Sequence, residues 1–163
     1  EGEVAAVSDK LPVAYLNIDS LLLNYQFAQE ANEKLMSKQE DARLKLNTKL
    51  RTLQNEMADF QRKLDNGAFL SQERAQKEYQ RLQKKQQDLE QLEAKLTQDI
   101  LEENQALNLQ LSDSLMNYLK TYNADGRFEI ILNNNAKDNI LMAADGYDIT
   151  NDVVNGLNAR YAK

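Results

Sequence analysis

The sequence has no cysteine and no histidine, a single proline at Pro12, and only five glycines in 163 residues. Without thiols or imidazoles, thiolate zinc sites, thiol redox chemistry and histidine-based acid–base or triad catalysis are excluded. Absence of cysteine also suits an oxidising compartment, a property shared with many cytosolic proteins. No apolar run reaches the roughly 18 residues that would suggest a membrane-spanning helix. The chain begins Glu1-Gly2 rather than with methionine, which fits a removed signal segment or a trimmed terminus. Few prolines and glycines, with abundant Gln, Asn, Leu, Lys and Glu, favour long helices over a globule with many turns.

The first arm carries the clearest pattern. Leu46, Leu50, Leu53, Met57, Phe60 and Leu64 follow one another at spacings of 4, 3, 4, 3 and 4, a heptad stripe that no strand produces. Asn66-Gly67 offers the positive φ that ends a helix. Ser71 can cap the next helix, with Leu70 placed to staple against Ala75. A second stripe runs through Ala75, Tyr79, Leu82, Leu89, Leu96 and Ile100. Closing a hairpin at the turn sets Phe60 near Ala75, Met57 near Tyr79, Leu53 near Leu82 and Leu46 near Leu89. The predicted arms run from about Ser20 to Asp65 and from about Ser71 to Tyr122, roughly 60–75 Å long at about 1.5 Å per residue.

The flanks read differently. Residues 1–11 form a polar, acidic leader. Pro12 opens Val13-Ala14-Tyr15-Leu16-Asn17-Ile18 as a strand, with Asp19 or Ser20 as N-cap of the helix that follows. Beyond Ile100 the apolar face widens to Leu107, Leu109, Leu111, Leu115, Met116, Tyr118, Leu119 and Tyr122, broad enough to pack into a body. Leu21, Leu22, Leu23, Tyr25 and Phe27 are the facing residues. After a turn at 123–126, Phe128–Leu132 reads as a second strand and Ile140–Ala143 as a third. Thr150 caps a final helix whose Val153, Val154, Leu157 and Tyr161 share a face. Three short strands do not make a sheet with covered edges, so copies of the chain are expected to share it.

The fold expected is therefore mainly α with a small β body, a long antiparallel coiled-coil hairpin flanked by short strands. Residues 12–27 and 107–163 form the oligomerisation body. Residues 28–106 form the arm, with its tip near 66–70. Val13, Tyr15, Leu16, Ile18, Phe128, Ile130, Leu132 and Ile140 are the candidate oligomerisation residues.

Charge is unevenly spread. Arg43 to Lys85 holds 11 basic and 5 acidic residues, a net of +6, and the remainder holds 9 and 21, a net of −12. The basic half is either a solvated coiled-coil surface or a field for anionic partners. Basic residues are not interleaved with aromatics and the chain as a whole is acidic, which argues against nucleic acid. Phe69 and Leu70, at a hairpin tip with little interior, are candidates for client contact together with Arg62, Lys63, Arg74, Lys77, Arg81, Lys84 and Lys85. The adjacent acids Glu40-Asp41 and Glu102-Glu103 point about 100° apart on a helix and do not converge on one ligand. With no phosphate loop, nucleophile elbow or metal constellation, the reading is a non-enzyme that needs no cofactor.

The segment from Val13 to Leu21, the run Phe128-Glu129-Ile130-Ile131-Leu132, and Tyr147-Asp148-Ile149-Thr150 with Val153, Val154 and Leu157 resemble the Skp/OmpH family of periplasmic chaperones. The likeness covers roughly Pro12 to Tyr161. It implies a homotrimer in which strands of three chains form a shared barrel, and three hairpins surround a cavity holding unfolded outer-membrane proteins without ATP. It implies a periplasmic location and makes an anionic membrane surface a further contact. The best-known members are basic overall, whereas this chain has a net charge of −6. Electrostatic capture would then fall to the distal arm. The alternative is a structural or adaptor coiled coil docking one folded partner.

Overall fold

The computed structural model describes residues 10–135 and 139–163. Its elements are β1 (Val13–Leu16), α1 (Ile18–Asn24), α2 (Gln26–Asp65), α3 (Gln72–Tyr122), β2 (Ile130–Asn133), a 3-10 turn at Asp145–Tyr147, and α4 (Thr150–Tyr161). Two compact units result. One holds the described residues up to Asn32 and from Leu107 onward, and the other is Glu33–Ala106. Residues 1–9, most of the expected leader, lie outside the described residues.

In the first unit β1 is the middle element. On one edge it pairs in parallel with β2, Val13 opposite Ile130 and Leu16 opposite Asn133. On the other edge Tyr15 bridges to Asp148, and the Ile149 N–H donates to the Tyr15 carbonyl at 2.9 Å. Alternation along β1 sends Ala14 and Leu16 inward. They join Leu21, Tyr25, Ala28, Leu111, Leu115, Ile149, Val153, Val154 and Leu157 in one core. Leu22 and Phe27 pack against that core as expected, while Leu23, Leu109 and Met116 are exposed.

The third strand does not form. Residues 139–144 are irregular, with Leu141 97% exposed, and the second edge of β1 is taken by Asp148 and Ile149 instead. A short apolar run signals burial or association, not strand geometry by itself. The second strand also begins later than Phe128, at Ile130.

Helix starts are set by different residues than expected. Asn17, not Asp19 or Ser20, caps α1, its side chain accepting from the Ser20 N–H at 2.9 Å. Thr150 is the first residue of α4 and its hydroxyl faces away from the helix, accepting the Asn17 N–H at 3.0 Å. The Asp148 carboxylate accepts the Thr150 N–H. The first arm is not continuous either. Tyr25 takes an extended conformation between α1 and α2, which buries its ring and lets its hydroxyl share a hydrogen bond with Ser114. The break strands backbone groups, and the Asn158 side-chain amide satisfies them. It accepts from the Gln26 N–H at 2.8 Å and donates to the Asn24 carbonyl at 3.0 Å.

Gly156 shows how close α4 packs. A Cβ built there would overlap the Tyr118 ring and hydroxyl. Alanine is the better helix former by about 1 kcal/mol, but it would push Tyr118 out of its place. Gly156→Ala is therefore expected to destabilise the protein by about 1–3 kcal/mol, read as a lower thermal midpoint by circular dichroism. An unchanged or raised midpoint would show that Tyr118 moves aside freely.

Candidate functional site

Two surfaces carry the candidate residues, one in each unit.

In the Glu33–Ala106 unit, α2 and α3 run antiparallel. Lys38 pairs with Glu103 at 2.6 Å, while Glu56 pairs with Lys85 at 2.7 Å and Arg81 at 2.8 Å, so rising positions on one helix meet falling positions on the other. Leu53 and Leu82 are fully covered, as an expected cross-seam pair should be. The seam is narrower than the heptad stripe suggests. Leu46 and Phe60 are half-buried, whereas Leu50, Met57 and Leu64 are exposed. Two helices have one contact line, and a six-residue stripe is wider than that line. Tyr79 lies against Phe60, ring centroids 6.2 Å apart. A groove of about 400 Å³ runs beside Leu53, floored by Leu89 and Leu92 and rimmed by Lys49 and Lys85.

The tip closes as the sequence indicates. Gly67 takes φ +62°. The Ala68 N–H donates to the Lys63 carbonyl and the Gly67 N–H to the Leu64 carbonyl, the paired bonds of a Schellman ending. Ser71 Oγ accepts from the Arg74 N–H at 3.2 Å and caps α3. Phe69 is occupied locally, its ring 5.5 Å from Phe60. Leu70 does not act as a staple and is 83% exposed.

Most candidate cations already have a carboxylate. Arg62 and Lys63 pair with Asp59, Lys77 with Glu73, Lys84 with Asp88, Lys85 with Glu56, and Arg81 with both Glu56 and Glu78. Arg74 has no ion pair among the described residues. Exposed pairs of this kind are weak, about 0–1 kcal/mol each, so they exchange readily with another anion. Glu56 is different because it ties the two helices together. Hydrogen bonds from Lys85 and then Arg81 hold its carboxyl below the ordinary glutamate value. Arg81 is raised in turn, first by Glu78 and then by Glu56. Glu40 is bound by Arg43, and among the described residues no acidic cluster could hold a metal ion. No described helix is long and apolar enough to cross a membrane.

In the first unit, the sheet face opposite the core carries Val13, Tyr15, Ile130 and Leu132, with Ile130 and Leu132 exposed. With Leu11, Ile140 and Met142 nearby, Val13, Tyr15 and Leu132 line a recess of about 240 Å³. Five of the eight candidate oligomerisation residues thus share one apolar surface. Tyr15 among them is itself buried within the chain at 8% exposure, and the other three are taken up inside it. Leu16 is in the core, Ile18 packs against it, and Phe128 stacks on Tyr122 at 6.4 Å, where the Arg127 guanidinium lies 4.3 Å over the tyrosine ring.

The cross-helix carboxylate has a pH signature. Because the folded-state pKa of Glu56 is depressed, its contribution to stability is fully present above the ordinary glutamate value. It is lost as pH falls from there through the lower folded value. Thermal unfolding of wild type and Glu56→Gln should differ at neutral pH, wild type melting higher, and converge on acidification through that window. A difference that persists unchanged into strong acid would show that Glu56 acts through packing rather than charge.

The family model described as outer membrane protein (OmpH-like) matches residues 12–157. A solved structure from Caulobacter crescentus CB15, described as a candidate OmpH-like outer membrane chaperone, superposes with a TM-score of 0.81 at 15% identity. It covers 98% of this chain and 90% of that one. At that identity the likeness speaks for the fold. No curated protein matches the sequence. The family match spans both strands and the three helices between them, and the chain belongs to the OmpH-like outer membrane protein family.

Proposed function

We propose that this protein is an ATP-independent holdase of the periplasm, binding unfolded outer-membrane proteins between the helical arms of a homotrimer. The observation that carries the reading is the family match over residues 12–157. The geometry adds two supports. The sheet face bearing Val13, Tyr15, Ile130 and Leu132 is apolar, with Ile130 and Leu132 open to solvent, and the outer edge of β2 has no strand partner among the described residues. Such a face and edge are suited to cover by further copies of the same sheet. Client binding by arms would be multivalent, many weak contacts summing through avidity instead of one deep pocket. The basic stretch from Arg43 to Lys85, with exchangeable surface pairs, gives anionic membrane surfaces a second point of contact.

The direct test is dilution of an unfolded β-barrel membrane protein from denaturant into the purified chain. Suppression of light scattering at one trimer per client is expected. Indifference to the unfolded client, with tight binding to a single native protein, would replace the holdase by a coiled-coil adaptor.

The assembly has its own test. Ile130→Asp with Leu132→Asp places charge on an exposed face and should leave helicity intact while lowering the mass, by multi-angle light scattering, from three chains to one. A trimer that survives both substitutions moves the interface elsewhere.

A further inference from the structure

The two edges of the α2–α3 pair differ in chemistry. On a helix, positions i+3 and i+4 fall on opposite flanks of the line through residue i. From the buried Leu53, Glu56 lies on one flank and Met57 on the other. From the buried Leu82, Lys85 lies on one flank, Gln86 and Tyr79 on the other. The Glu56–Lys85 pair at 2.7 Å shows that the i+3 flanks of the two helices meet at one edge. The i+4 flanks therefore meet at the opposite edge.

The first edge is charged, with Lys49, Glu56 and Lys63 on α2 and Arg81, Lys85 and Asp88 on or beside the flank of α3. The second edge carries no formal charge beside the seam along the distal half; Arg51, near Leu50 and Gln54, and Asp65, bonded to Gln61, border it from outside. Leu50, Met57 and Leu64 recur every seven residues at 45%, 38% and 43% exposure, with Tyr79 exposed across the seam. The next column outward is Asn47, Gln54 and Gln61 on α2, and Gln76, Gln83 and Gln86 occupy the α3 side. All six amides are exposed; Gln61 Nε2 donates to Asp65 and Gln83 Nε2 to the Tyr79 hydroxyl, bonds that leave each side-chain carbonyl and a second N–H to offer.

We infer that this uncharged edge is the strip on which unfolded chain lies, an inference that rests on the holdase reading. Carboxamides both donate and accept, which matches the unpaired N–H and C=O groups of an extended polypeptide. The apolar column offers half-covered surface to its side chains. A charged lipid headgroup or an acidic folded partner would find its complement on the other edge.

Spacing explains why such a strip would tolerate many sequences. Successive apolar side chains are seven residues apart, about 10.5 Å along the helix. That is three residues of extended chain at about 3.4 Å each. Three is odd, so a strand facing Leu50 with one side faces Met57 with its other. The edge therefore favours no register, as a binder of varied clients requires.

The test uses the full chain and an unfolded β-barrel membrane protein. Leu50→Gln, Met57→Gln and Leu64→Gln together should keep helicity and oligomeric mass, yet require about tenfold more protein for equal suppression of aggregation. Lys45→Glu with Lys49→Glu, on the charged edge, should leave suppression within about twofold. A photo-crosslinker at Gln54 should capture client, and one at Thr52 should not; this readout decides the matter if the triple variant loses helicity. Equal suppression by wild type and the triple variant, or crosslinks from Gln54 to a neighbouring copy alone, would overturn the assignment. A wild-type protein that fails to hold the client would remove the holdase reading itself and this inference with it.

Discussion

The β-containing unit depends on β1 having a partner along both edges. Four residues cannot hold a strand conformation alone, and Ala14, Tyr15 and Leu16 are buried, so their backbone groups need partners from within the protein. Those partners come from far along the chain: β2 on one side, Asp148 and Ile149 on the other. The same remoteness marks the side-chain ties. Thr150 receives the Asn17 N–H across 133 positions, and Asn133 receives that of Ile18 across 115. Core packing by α4 follows from this anchoring, since Ile149 leads directly into Val153, Val154 and Leu157.

The helical pair obeys a different economy of forces. A two-helix seam covers only one line of side chains, and here only Leu53 and Leu82 are fully covered in the Glu33–Ala106 unit. Helix propensity, local ion pairs at i+3 and i+4, and the cross-helix ties to Glu103 and Glu56 supply the rest. Such a structure leaves apolar side chains half in water by necessity. Under the holdase proposal, that exposure becomes a resource for binding what has not folded.

Legibility in the sequence followed the range of the interactions. The hairpin was readable because its determinants are local: heptad spacing, Gly67 at positive φ, and Ser71 at the start of α3. The break at Tyr25 was not, because it depends on Ser114 and Asn158, which no local pattern connects to it. The third strand failed for a related reason. Ile140 to Ala143 has the composition of a strand, but Asp148 and Ile149 take the second edge of β1 and the segment pairs with neither strand. Gly156 did leave a trace, since a glycine inside a helical pattern often marks a close approach, although nothing local names Tyr118 as the neighbour. Among candidate site residues, alternation separated Val13 and Tyr15 from Leu16 only once the register with β2 was known. Counting cations marked the basic half, but it could not tell paired lysines from free ones, nor reveal that one edge of the pair carries only apolar and amide side chains beside the seam.

The Lys38–Glu103 tie bears on the order of events during folding. These residues are 65 positions apart, yet their charged atoms sit 2.6 Å from one another. Zipping from the Gly67 turn proceeds through contacts that are each local to the part already formed, so no step has to close a large loop. Once the zipper reaches Lys38, the chain has been shortened in effect by the whole length between them. The search by β1 for β2 and Ile149, which would be slow for a free coil, is then a search over short tethers. The hairpin thereby limits the time the chain itself spends unfolded.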